Sequence, residues 1–158
     1  IEEDASTEVG SYRIDTAPYR LSPDVRAFGV VFSSGARGAS CPDADASSEL
    51  VLWIREGDRR RAVFGTNLDG WAQIEGTACM PRSGSVSESA HMTIAVEKTT
   101  SHGFANLSLT AHVTRTQDSD GDYKQTGTRT VRTVLHYNGK SYCSEMFRDF
   151  WYPASLMH

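Results

Sequence analysis

Asp118-Ser-Asp-Gly-Asp-Tyr123, read with Leu107-Ser-Leu-Thr110 upstream of it, decides how the fold is understood. The upstream segment alternates apolar and polar side chains, as a strand buried on one face does. The acidic run with its glycine reverses the chain. Tyr123 then opens the next strand where a tyrosine can turn its hydroxyl back onto the backbone of a corner between sheets. Two positions on, where a core cysteine would staple such a corner, stands Gln125. The stretch predicts a tyrosine-held corner in a domain stapled elsewhere.

The segments around it carry the same period of two. Val25–Phe32 is apolar and β-branched enough for a strand that Ser33–Gly38 ends. Glu49–Arg55 places Leu50, Leu52 and Ile54 on one side and Val51 and Trp53 on the other, as in a strand buried on one face and capped on the other. Glu56-Gly-Asp58 is a turn and Arg61–Phe64 starts the return strand. Leu68–Ile74 is a short strand interrupted at Asp69-Gly70, Cys41–Ser48 reads as a loop, and Pro81–Ser89 reads as a loop or a weak edge strand. His91–Val96 and Ala105–Val113 alternate again. Asn138-Gly139 predicts a tight hairpin between Thr130–Tyr137 and Lys140–Phe147. With no helical stripe and no internal repeat, the fold class is all-β, a sandwich of short strands. Residues 1–20 read as a loose N-terminal segment, 21–150 as the domain, and 151–158 as a tail leading towards a removed membrane anchor. The aromatics Phe147, Phe150, Trp151 and Tyr152 either pack the last strand or lead towards that anchor.

With 158 residues, the chain is long enough for one cored domain and short for two. Its 39% hydrophobic and 23% charged residues exclude disorder over the whole length. A net charge of −4 argues against nucleic acid. No apolar run reaches the roughly 18 residues of a membrane span. Without a starting Met or a leader, the sequence is expected to be a mature or trimmed segment.

Three cysteines, Cys41, Cys79 and Cys143, imply one disulfide and one leftover thiol, with the pairing open. Asn106-Leu-Ser108 is a glycosylation acceptor. Together these favour an exported protein of the secretory pathway and cell surface. Catalytic motifs are absent: no His-Glu-x-x-His, no C-x-x-C and no G-x-S-x-G. An EF-hand loop beginning at Asp118 would need glycine and glutamate where Tyr123 and Arg129 stand. No cofactor, metal or small-molecule substrate is expected. Arg59, Arg60 and Arg61 at a hairpin tip, and Trp71 after Asp69-Gly70, are the candidate partner contacts.

Trp53, twelve residues after Cys41, together with Leu107–Thr110, Asp118 and Tyr123, resembles the signature of an immunoglobulin variable-like β-sandwich that lacks the usual F-strand cysteine. The single acceptor site, odd cysteine count and missing second core cysteine resemble, within that class, the mouse cytomegalovirus family of immunoglobulin-like immune-evasion glycoproteins. That resemblance implies a single-pass glycoprotein whose ectodomain binds class I MHC and alters recognition by natural killer or cytotoxic T cells. The competing expectations are a host adhesion or receptor domain of the same fold and, more remotely, a secreted β-sandwich enzyme.

Overall fold

The computed structural model describes residues 10–36, 38–77, 79, 84–142 and 150–156. It is all-β. Seven antiparallel strands, β1 (Gly10–Arg20), β2 (Arg26–Ser34), β3 (Ala44–Glu56), β4 (Arg59–Glu75), β5 (Val86–Ser101), β6 (Phe104–Ser119) and β7 (Asp122–Leu135), form one curled sheet. Each strand pairs with its neighbours in sequence, in the order β1 to β7.

Short turns explain this order. Glu56 pairs with Arg59, Ser101 with Phe104, and Ser119 with Asp122, so two residues close each of three hairpins. At two of them both central residues lie at positive φ: His102 (49°) with Gly103 (85°), and Asp120 (56°) with Gly121 (90°). That is the turn whose twist suits an antiparallel ribbon, and glycine adopts it without strain. A two-residue connection leaves no length for a crossover, so β3–β4, β5–β6 and β6–β7 must pair as neighbours.

This order corrects the expectation of an immunoglobulin variable-like arrangement, which divides its strands between two sheets through Greek-key connections. The coarser reading, all-β, stands. Asp118 and Tyr123 are Cα partners within the β6–β7 ladder. Asp118 is buried, its Oδ1 accepting the Gly121 N–H at 2.9 Å, while Tyr123 is 72% exposed. The tyrosine stands on an ordinary hairpin and not at a corner between sheets.

The expected boundaries move as well. Gly10–Arg20, placed within a loose terminus, is the first strand. The Asp69-Gly70 interruption is absent, because β4 runs unbroken from Arg59 to Glu75. Turn chemistry at Asn138-Gly139 does form, with Asn138 Oδ1 accepting the Lys140 and Ser141 N–H groups at 2.9 Å and a bridge between Tyr137 and Tyr142. Of the expected return strand Lys140–Phe147, residues 143–147 lie outside the described residues.

The concave face holds the core. Leu50, Leu52 and Ile54 of β3, Val63 and Phe64 of β4, Met92 of β5 and Leu107, Leu109 and Val113 of β6 are all buried. The Ala105 N–H donates to the Leu21 carbonyl at 2.6 Å, so the turn after β1 meets the start of β6 and the sheet curls round its own core. At that end Tyr142 donates its hydroxyl to the Ala105 carbonyl at 2.6 Å, and its ring packs against Phe64 and Tyr137. Gly29 marks a close approach between strands. A Cβ there would lie 2.8 Å from the Asp15 Cβ and 2.9 Å from Leu50 Cδ1. Asp15 leans over it and accepts the Tyr19 hydroxyl at 2.5 Å. Burial, reinforced by that bond, holds the Tyr19 phenol well above its ordinary pKa.

Trp151, placed in the expected tail, is 1% exposed and belongs to the core. Arg129 joins it to the sheet, donating to the Trp151 carbonyl and to Glu88 Oε1, each at 2.5 Å. Cys41 and Cys79 form the disulfide, tying the β2–β3 connection to the β4–β5 connection. Cys143 lies outside the described residues.

Candidate functional site

The convex face carries the most unusual surface. In β2 the core side is Ala27 and Val31, both buried, so Phe28, Val30 and Phe32 point outward. Their ladder partners continue the face: Ile14 opposite Val30 and Tyr12 opposite Phe32 on β1, Trp53 opposite Phe28 and Val51 opposite Val30 on β3, with the exposed Glu49 opposite Phe32 at its edge. Seven apolar side chains on three adjacent strands thus form one strip. Tyr12 is 74% exposed, Ile14 72% and Phe28 37%. Tyr12 rests on Phe32 with ring centroids 4.8 Å apart. Scattered apolar residues are normal on a protein surface, but a contiguous aromatic strip is characteristic of a contact site.

Trp53 is therefore part of the outer face and not a core tryptophan behind a staple. Half-buried by its neighbours, it retains surface for contact. Val51, expected under a cap, shares that position. The sequence signal for the strip was the apolar character of both sides of Val25–Phe32 and Glu49–Arg55, which a one-sided sheet does not require.

The arginine group is split by the structure. Arg61 is engaged: Glu56 Oε1 accepts from its Nε at 3.0 Å and its Nη2 at 2.7 Å, Tyr137 Oη from Nη2 at 3.0 Å, and the Lys140 carbonyl from Nη1. The guanidinium, hydrogen-bonded to Glu56, holds that carboxyl below its usual range. Arg61 is thus a tie between the β3–β4 hairpin and the 137–141 turn. Arg59 and Arg60 stay exposed and share a concavity with Arg55 and Asp58, a grouping the sequence did not suggest. Trp71 is half-buried further along β4, between Asp45 and Ser89, and the structure does not bring it into the strip.

Asn106 is 3% exposed, and its Nδ2 donates to Thr99 Oγ1 at 2.9 Å. That nitrogen is the atom a glycan would occupy, so a sugar there requires the strand to open. Among the described residues no group of three or more His, Cys, Asp or Glu side chains is placed to hold a metal ion. The Asp118–Asp122 run serves its turn.

No protein family matches the chain, and no curated protein or solved structure matches it. The functional reading therefore rests on the surfaces just described.

Proposed function

We propose that this chain is a non-catalytic binding domain of an exported protein, and that the strip Tyr12, Ile14, Phe28, Val30, Phe32, Val51 and Trp53 is the surface on which it takes a protein partner. The observation that carries the reading is the contiguity of these side chains on the solvent side of three paired strands. Aromatic residues dominate the few contacts that supply most binding energy, and a rigid sheet presents them at little cost in ordering. The Cys41–Cys79 disulfide is compatible with an oxidising exterior. The partner to test first is class I MHC, as the resemblance to the viral immune-evasion glycoproteins implies.

The test is capture of class I heavy chain from detergent lysates by the wild-type chain and by Ile14→Asp and Phe28→Asp. Class I should be retained by the wild type, and each substitution should weaken retention at least about tenfold with the melting temperature little changed. No retention, where a known class I ligand succeeds, overturns the partner. Equal retention by the folded variants overturns the surface.

A further inference from the structure

The β3–β4 hairpin concentrates positive charge on a chain whose net charge is −4. Arg55, Arg59 and Arg60 line one open concavity of about 610 Å3, with Asp58 beside them. Arg55 and Arg60 are direct Cα partners across the ladder, and like charges so placed destabilise a strand pair. The neighbouring Arg61 has its carboxylate at 2.7 Å. Among the described residues none of the other three has a carboxylate within ion-pair distance. Arg55 Nε donates to the Gly57 carbonyl at 2.8 Å, which steadies its guanidinium beside the turn.

We infer that this concavity binds a sulfated polysaccharide through the tetrahedral oxyanions of its sulfate esters. Three guanidinium charges less the Asp58 carboxylate leave +2, which matches two sulfate esters on one repeating unit. An oxyanion between Arg55 and Arg60 replaces their repulsion with charge-assisted hydrogen bonds, and the planar guanidinium fork fits two oxygens of one tetrahedral group. The cavity is open on the solvent side, as a long chain passing across it requires. The disulfide suits the exterior, where such polysaccharides are found. None of these arginines is one of the seven strip residues, but Arg55 continues the outer face of β3 two positions after Trp53, so the site borders the proposed partner surface.

The experiment uses the disulfide-intact chain on immobilised heparin, with inorganic sulfate as the probe of the site itself. The wild type should be retained at low salt, with a dependence of log affinity on log salt of slope about −2, as release of two counterions gives. Arg55→Ala and Arg60→Ala should each weaken heparin binding about tenfold, and Arg60→Lys by less, because it keeps the charge and loses the fork. Sulfate should raise the melting temperature of the wild type more than that of the Arg55→Ala/Arg60→Ala double variant. This difference separates site binding from the general stabilisation that sulfate gives any protein. The double variant should melt no lower than wild type without ligand, since a repulsive pair has been removed. Unchanged heparin retention in that variant overturns the site, as does an equal sulfate effect in both proteins. Equal retention on desulfated heparin, or tighter binding to polyphosphate of matched charge, overturns the sulfate-ester assignment.

Discussion

Across β1–β3 the outward positions hold Tyr12, Ile14, Phe28, Val30, Phe32, Val51 and Trp53. Across β5–β7 the outward positions are Ser89, His91, Thr93 and Ala95, then the buried Ser108 with Thr110, His112 and Thr114, then Thr128, Thr130, Arg132 and Val134. The second group satisfies itself with short polar contacts. Thr93 Oγ1 meets His112 Nε2 at 3.1 Å, and Arg132 pairs with Glu97. Both halves line the same core, so burial on the concave side cannot account for the difference. The second half exposes large apolar side chains only singly, Tyr123 at 72% and Val134 at 36%, whereas the first gathers them into one contiguous strip that a monomer in water gains nothing from exposing. That contrast is the physical ground for placing the partner surface on β1–β3.

The sharpest way to break the comparison is to test whether the halves are equal on the inside. Leu52 on β3 and Leu107 on β6 are both 0% exposed. Leu52→Ala and Leu107→Ala should each cost about 2–5 kcal/mol, measured by urea unfolding. A cost near zero for one of them would mean that its half packs loosely, and the outer-face contrast would then reflect an incomplete core.

Much of this inner face was readable from sequence because alternation is local. Leu50, Leu52 and Ile54 were assigned to one side, and so they are. Strand pairing was less legible. Tyr123 behind an acidic turn fits a corner between sheets, yet Asp120-Gly121 also fits a two-residue hairpin, and the backbone adopts the latter. His102-Gly103 carried the same signal between two alternating segments. These turns dictate the β5–β6 and β6–β7 pairings, while the Cys41–Cys79 link depends on two loops meeting in space, which spacing does not encode. The apolar strip was half visible, through Val51 and Trp53. Its completion needed the register of β1, read as a loose terminus because its exposed Tyr12 and Ile14 leave no buried stripe in the sequence.

A smaller effect is expected where the polar half reaches into the core. Glu88 is 1% exposed, with Arg129 at 2.5 Å and Arg115 at 3.9 Å. Glu88→Ala leaves Arg129 without its buried carboxylate and loosens its hold on the Trp151 carbonyl. Breaking a buried pair from one side costs about 3–5 kcal/mol, and with Arg129 35% exposed to solvent the loss should fall near the low end, about 3 kcal/mol. Unfolding midpoints should show this, and proteolysis should release the C-terminal segment sooner than in wild type. A variant as stable and as protease-resistant as wild type would show that the core holds Trp151 without the ion pair.

The smallest expected effect lies between the two halves, where Asp69 of β4 faces His91 of β5 at 2.7 Å. Burial works to raise the Asp69 carboxyl, but hydrogen bonds from His91 and Ser48, aided by the charges of His91 and Arg13, outweigh it and hold the group below its usual value. A carboxyl depressed in the folded state stabilises the fold above its unfolded pKa, about 4, and loses that contribution as pH falls through the folded value. The side chains are 45% and 61% exposed, so solvent screening limits the effect to less than about 1 kcal/mol. Asp69→Asn should therefore flatten the acid limb of the stability curve between pH 5 and pH 3 by that amount. An unaltered acid limb would mean that the seam between β4 and β5 is held by its backbone ladder alone, and that the polar half ends at β5.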